Sequence, residues 1–424
     1  MTSIGIIQAT VSSTVSTTGT TFAEVVESDA LTSGTVYYAV CHAIVEGNSS
    51  SLTFEWRLVD RTNSDTVLSN STVTREPTQN GIPQSYYFVG KFTGSSGGGL
   101  AFEQRSATSA LNIARTQYVS MMIFDLSNLQ TNDYSFANLR QTTTLSNSTF
   151  ADFAQTAITF PQEDEIWHVW AWQATAMNNT SDSARVRLHQ TNGASNITTP
   201  EIQFEGEDLT EVLGNFMSRP YTMTSSPSST WTVQSRDSGT AGAGQNQHLE
   251  STVFAIRLNA FRDFSSSYTD AETRSTSADW IELKTSEFTP THAGDVVVSA
   301  YSTYNPDGST RKSYQRLQVD GTTSPNAQPD TEYSANANDP TDELPLGYIT
   351  KYTGASGTAA TIDYDVKYNS AVEKGWQQFS LVAFTIELKQ PFNFSAVALD
   401  TYNSGDRASE TFAAGDVAAE VNPE

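Results

Sequence analysis

Few residues in this chain have chemistry to offer. The single cysteine, Cys41, adjoins His42 in Tyr37-Tyr-Ala-Val-Cys-His-Ala-Ile-Val45, which sets a thiol beside a base. Neighbouring side chains of a strand point to opposite faces, so the two are not expected to share a proton, and Cys41 reads as a small buried apolar residue. His168, His189, His248 and His292 fall in no metal-ligand spacing such as H-E-x-x-H, and no G-x-S-x-G nucleophile elbow occurs. Lys91-Phe-Thr-Gly-Ser-Ser-Gly97 has the composition of a phosphate loop. In such a loop the lysine follows the glycines and a helix comes next; here it precedes them between strand-like stretches, which predicts a hairpin turn. Carboxylates crowd Glu205-Gly-Glu-Asp208 with Glu211, and again Asp330, Glu332, Asp339, Asp342 and Glu343. Calcium wants six to eight such oxygens, but neither cluster has the spaced D-x-[DN]-x-[DN]-G loop, so both are read as solvated acidic loops. No catalytic, cofactor-binding or metal-ligating residue is assigned, and no cofactor is expected.

The elements that would position any site repeat. The stretch at Lys91 returns as Lys351-Tyr-Thr-Gly-Ala-Ser-Gly357, and 351 minus 91 is 260, twice 130. Ile4, Tyr134, Phe264 and Phe394 lead Ser/Thr-rich segments, each 130 after the last. An aromatic beside an acid follows in Thr21-Phe-Ala-Glu24, Thr149-Phe-Ala-Asp152 and Asp279-Trp-Ile-Glu282, and Thr411-Phe-Ala-Ala414 begins a fourth copy without a body. Strands are predicted at 36–46, 166–175 and 295–303, with Tyr37, Trp167 and Val297 in correspondence, as are Val40, Trp170 and Ala300. In the first of these both faces are largely apolar, as in a strand covered on each side. The returning strands carry Arg57-Leu58, Arg187-Leu188 and Arg316-Leu317, with Leu expected in the core and Arg on the outer surface beside a local carboxylate. Each repeat closes on a strand with one buried face, at 119–126, 251–258 and 380–388.

At 424 residues the chain is long enough for about three domains, and its apolar residues are strand formers scattered among Ser, Thr, Asn and Gly. The expected fold is all-β: three tandem β-sandwich domains, of jelly-roll or immunoglobulin-like topology, with a 130-residue internal repeat. Segment 1–20 reads as an N-terminal docking linker and 21–131 as the first sandwich. Linker plus sandwich follow at 132–262 and again at 263–389, and 390–424 is a tail resembling the start of a fourth repeat. The held linker length implies docked connections, in a stalk or in a pseudo-threefold ring. Ile4, Ile6 and Ile7 at one end, and Phe392, Phe394 and Phe412 at the other, are the candidate interface residues.

A net charge of -24 repels phosphate backbones and anionic membrane surfaces, so neither nucleic acid nor membrane is an expected partner. No apolar run approaches the 18 residues of a spanning helix, and Met1-Thr-Ser-Ile-Gly-Ile-Ile lacks the basic and apolar regions of a secretory signal. Assembly in a host cytoplasm is the expectation. In its acidity, its Ser/Thr/Gly/Asn-rich tandem sandwiches and its lack of a signal or disulfide, the chain resembles the capsid-decoration and appendage proteins of tailed bacteriophages. The resemblance spans the whole chain but rests on no motif, so it transfers no functional residue. It implies a non-enzymatic virion protein that braces or decorates a capsid, with other virion proteins as partners. Trp170, Trp172 and Trp231 as sugar-stacking rings carry the alternative, a glycan-binding adhesin or receptor-binding fibre with host-surface glycans as partners. A glycan-active enzyme is the third class, since any acidic β protein supplies carboxylate pairs.

Overall fold

The computed structural model describes residues 3–389 except for short internal segments, chiefly 76–83, 206–211, 238–244, 306–311, 324–332 and 335–343; the tail from 390 onward, with Phe392, Phe394 and Phe412, lies outside the described residues. The chain is all-β, and its strands pair antiparallel. Between residues 264 and 385 one inner sheet runs in the order Phe264–Thr269, Lys374–Thr385, Gly294–Asn305, Leu344–Gly354. The outer sheet facing it runs Ile281–Phe288, Ala360–Tyr368, Lys312–Val319, Thr322–Thr323. Counted along the chain as eight strands, the first pairs the last, the second the seventh, the third the sixth and the fourth the fifth. That is a long hairpin rolled into two sheets, a jelly roll rather than an immunoglobulin-like sandwich.

The same pairing recurs upstream. Inner sheets order Ile6–Val11, Ile113–Asp125, Val36–Gly47, Gln84–Thr93, and then Tyr134–Thr144, Gln247–Arg257, Ile166–Ala176, Val212–Thr222, the last strand pairing through Val212 and Thr74 into the first sandwich's outer sheet. The strand Ile6–Val11 thus takes the place in the first sheet that Phe264–Thr269 takes in the third. Within each sandwich the sheets close over aromatic and branched side chains: Trp56 against Tyr86, Phe88 against Phe102, Trp167 against Trp231, Tyr348 against Tyr364.

The inner sheets are apolar on both faces because their second faces meet one another. Every sandwich packs on the other two. Tyr38 of the first stacks on Phe254 of the second with centroids 4.0 Å apart, and Phe124 meets Trp170. Trp172 Nε1 donates to the carbonyl of Tyr87 at 2.9 Å across the same seam. Phe216 of the second meets Tyr301 of the third, and Trp170 Nε1 donates to Ser299 Oγ at 3.2 Å. Ser120 of the first donates to the carbonyl of Ile349 of the third at 3.0 Å. These contacts close on one another, and one continuous apolar core runs through them from Tyr38 to Trp170 to Val297.

Face assignments correct one sequence correspondence. Tyr37 and Trp167 point into their own sandwiches, but Val297 faces the ring, and Val296 with Val298 fills the third sandwich's core. Val40 and Trp170 therefore match Ser299, at a step of 129, rather than Ala300. A single residue fewer turns a strand over, because side chains alternate with a period of two. In the second sandwich the counterpart of the Lys91 strand is Val212–Thr222, with Pro220 opposite His168 as Lys91 is opposite Tyr38.

At the ring centre the strands Gln84–Thr93, Val212–Thr222 and Leu344–Gly354 bring Tyr87, Phe216 and Gly347 to equivalent positions. Tyr87 stacks on Phe216 at 4.7 Å, and its hydroxyl donates to the carbonyl of Gly347 at 2.9 Å while accepting from that residue's amide. A Cβ at Gly347 would lie 3.0 Å from the Ala300 carbonyl and 3.5 Å from the Tyr87 hydroxyl, a close approach that suits glycine at the third position. Tyr87→Phe strips both partners from a buried peptide group, and a loss of about 1–3 kcal/mol in urea unfolding is expected.

Candidate assembly interface

The seams differ in how the chain crosses them. From the first sandwich to the second the connection is covalent, reinforced by the pairing of Thr74 with Val212, and from the second to the third it is covalent. The third and first are joined by pairing: Ser3 bridges Glu387, and the Ile4 amide donates to the carbonyl of Ile386 at 3.0 Å. Ile4 is 1% exposed, and Ile6 and Ile7 are half-buried against the shared core. Further along, Gln8 reaches Thr350 of the third sandwich at 3.5 Å. The leading segment of the first jelly roll is therefore supplied by the chain's own N-terminal residues.

Both polar motifs singled out in the sequence are explained by packing. In the glycine-rich turn the amides are already used. Gly94 donates to Thr35, Ser95 to Thr62 Oγ1 and Gly99 to Glu27 Oε1, so the loop presents a carboxylate where a phosphate would sit. Gly97 and Gly357 hold φ of 107° and 67°, the left-handed region that favours glycine, which is why this pair recurs 260 apart.

The recurring aromatic–acid segment lies on the outer sheet. Phe22 covers the guanidinium groups of Arg57 and Arg105, at 3.7 and 4.3 Å. Phe150 covers Arg187 and Arg236, and Trp280 covers Arg316 and Lys367. These contacts tie the segment entering each sandwich to the sheet beneath it, each worth roughly 0.5–2 kcal/mol. The arginines pair locally: Arg57 with Glu103 at 2.7 Å, Arg316 with Asp365 at 2.8 Å, and Arg187 with Gln234 at 2.8 Å and Glu201 at 4.0 Å. Burial pushes the Asp365 carboxyl above its usual range, and Arg316 opposes that shift.

Cys41 lies in the first sandwich's core, where burial raises its thiol far out of the reactive range, while His42 faces the ring. Trp170, Trp172 and Trp231 are fully buried, the first two at seams and the third in the second sandwich. That removes the three rings on which sugar stacking rested. Among the described residues no group of three or more His, Cys, Asp or Glu is arranged to hold a metal ion. The acidic stretches around 206–211 and 324–343 fall mostly outside the described residues. Open clefts occur among the described residues. One, of about 400 Å³, lies between Lys91, Phe92 and Thr93 of the first sandwich and Phe136 and Asn138 of the second. The other, of about 390 Å³, is lined by Arg262, Asp263, Phe264 and Glu287 where the chain enters the third.

No protein family matches this chain, and no curated protein matches it. Among solved structures it is similar to the triple jelly roll of an archaeal virus turret assembly, at 10% identity, over 85% of this chain and 84% of that one, with a TM-score of 0.20. Eiger TNF from S. frugiperda is similar at 11% identity over 30% of this chain and 93% of its own, with a TM-score of 0.22. PNGF-II is similar at 8% identity over 82% and 99%, with a TM-score of 0.26. At these scores none carries an argument, and the functional reading rests on the chain's own geometry.

The outer-sheet pairs are separable by mutation. Arg316→Met is expected to cost about 1–3 kcal/mol in urea unfolding, because it leaves the Asp365 carboxylate without that ion pair. Arg57→Met should cost clearly less, since Glu103 keeps Arg61 at 2.7 Å.

Proposed function

We propose that this chain is a non-enzymatic structural protein of a virion, a single-chain pseudo-trimer that braces or decorates a capsid where local symmetry is threefold or sixfold. One observation carries the reading: three jelly rolls spend their second apolar faces on one another. Burying those faces yields a rigid body with a quasi-threefold axis, which offers three related outer surfaces to a symmetric site. A flexible string of binding modules would have no use for a shared core. The division at 21–131, 132–262 and 263–389 belongs to this proposal, with the first unit extended back to Ile6.

The buried groups support a scaffold over an enzyme. The best-positioned bases, His42 and His168, are sealed in seams, and the arginines of the outer sheets are engaged by neighbouring carboxylates. Other virion proteins, capsid subunits or further copies of this chain, are the proposed partners. The tailed-bacteriophage assignment is the finest part of the reading and rests on overall sequence character.

Two measurements test it. In an electron-microscopy map of the parent particle the ring is expected on or beside a local threefold or sixfold axis of the capsid; a position inside the particle or outside any symmetric site would defeat the proposal. On a glycan array the purified chain is expected to show no saturable binding, whereas saturable binding that is abolished by Lys91→Ala would assign the cleft at Lys91 and Phe136 to a glycan instead.

A further inference from the structure

The three outer sheets place an arginine at the same point of the returning strand and differ in what surrounds it. In the first sandwich opposite charges face each other across the ladder: Arg57 stands in register with Glu103 and Glu55 with Arg105, and both pairs are closed. In the second sandwich the corresponding partners are Arg187 with Gln234 and Arg185 with Arg236. A neutral amide and an additional guanidinium thus stand where the first sheet has carboxylates. Like charges directly opposite one another destabilise an antiparallel pair, so this sheet carries a cost that the first avoids.

One carboxylate serves all three guanidinium groups. Glu201 Oε2 accepts from Arg185 Nη1 at 2.9 Å and from Arg236 Nη2 at 3.3 Å, while its Oε1 lies 4.0 Å from Arg187 Nη1. Arg187 donates through Nε to Gln234, which leaves its two Nη groups, on a side chain 25% exposed, without a hydrogen bond among the described residues. Burial lowers the Arg187 pKa and Arg236 adds to that, against the pull of Glu201 and Asp152. An arginine fork of this kind recognises planar carboxylates through two parallel bonds.

The third outer sheet has the opposite imbalance. There Glu282 stands in register with Asp365. The first sandwich has the same acidic pair, Glu24 with Glu103, and bridges it with Arg61, whose Nη2 lies 3.3 and 2.7 Å from the two carboxylates. In the third sandwich Arg316 pairs with Asp365, while Glu282 and Glu287, both exposed, have no ion pair among the described residues. Within one chain the surplus cations and the surplus carboxylates do not meet, since each outer sheet is turned away from the shared core.

We propose that copies of this chain bind one another head to tail, the cluster of Arg185, Arg187 and Arg236 in one copy receiving Glu282 and Glu287 of the next. Such a contact is heterologous, so it repeats around a closed ring of copies or along an open array. The proposal rests on the reading above only in naming further copies as the partner; contact in solution is measured without a capsid, so its failure and the failure of that reading are distinguishable. The net charge of -24 opposes association at long range, but salt screens that repulsion beyond about 8 Å at physiological ionic strength. Partly buried, bidentate pairs at contact are screened much less, and complementary charge there fixes which surfaces meet.

The test is sedimentation velocity of the full chain over a range of protein concentration in about 0.15 M salt. Wild type is expected to form oligomers that dissociate when salt is raised to about 1 M, where screening acts within about 3 Å. Arg187→Glu alone, and Glu282→Lys with Glu287→Lys, should each weaken association by about tenfold or more, because each sets like charges against one another. Combining the three substitutions in one chain should restore it. Glu282 and Glu287 are exposed and outside any ion pair among the described residues, so their variant decides the matter should Arg187→Glu not fold. A wild type that stays monomeric at every concentration, or oligomers indifferent to both variants, would overturn the proposal. So would a monomeric wild type that binds a sulfated or carboxylated glycan saturably and loses that binding with Arg187→Glu, since the cluster then serves an acidic sugar.

Discussion

The structure depends on inner sheets that are apolar on both faces. A jelly roll needs only one face of each sheet for its own core, so a second apolar face toward water would leave each sandwich with an exposed hydrophobic wall. Here the three walls cover one another. Burying each large aromatic there is worth on the order of 1.5–3 kcal/mol, and Tyr38, Phe124, Trp170 and Phe254 form a contiguous group of them. The ring is in this sense a fourth core, shared by three domains that are each already packed.

Sharing a core breaks the internal symmetry. Three identical side chains converging on an axis collide or leave a hole, so Tyr87, Phe216 and Gly347 divide the space as two rings and a gap that holds a hydroxyl. The same division leaves His168 and Ser299 opposite one another while Tyr38 faces Phe254, so stacked aromatic rings dominate one seam and hydroxyl and imidazole groups enter another. Buried polar contacts of this kind contribute less net stability than apolar packing but fix geometry closely, since every mispairing strands a group without water.

The outer surface follows the opposite logic. Each sandwich holds its entering segment down with an aromatic ring laid over a guanidinium that is itself paired to a neighbour on the sheet. The seam between third and first sandwiches reproduces with hydrogen bonds what the covalent linkers do elsewhere, since Ile4 is bonded to Ile386 much as Arg257 is to Asp133 within the second sandwich.

The all-β class and the outward arginines were legible because each is a local or periodic signal. Alternation reports a strand, a 130-residue interval reports reuse, and Gly97 and Gly357 report left-handed turns. The doubly apolar strand 36–46 even announced that something covers its second face. What covers it was beyond the sequence, because facing residues such as Tyr38 and Phe254 are far apart in the chain and no local pattern links them. The one-residue slip at Val297 shows the same limit: a step of 129 reads nearly like one of 130, yet it exchanges core for seam along a whole strand. Sequence alone determined the all-β class and the positions of many of its strands. Only tertiary structure decided jelly roll over immunoglobulin topology, ring over stalk, and the placement of His42 and His168 in seams, because each is fixed by long-range pairing and close packing between distant strands.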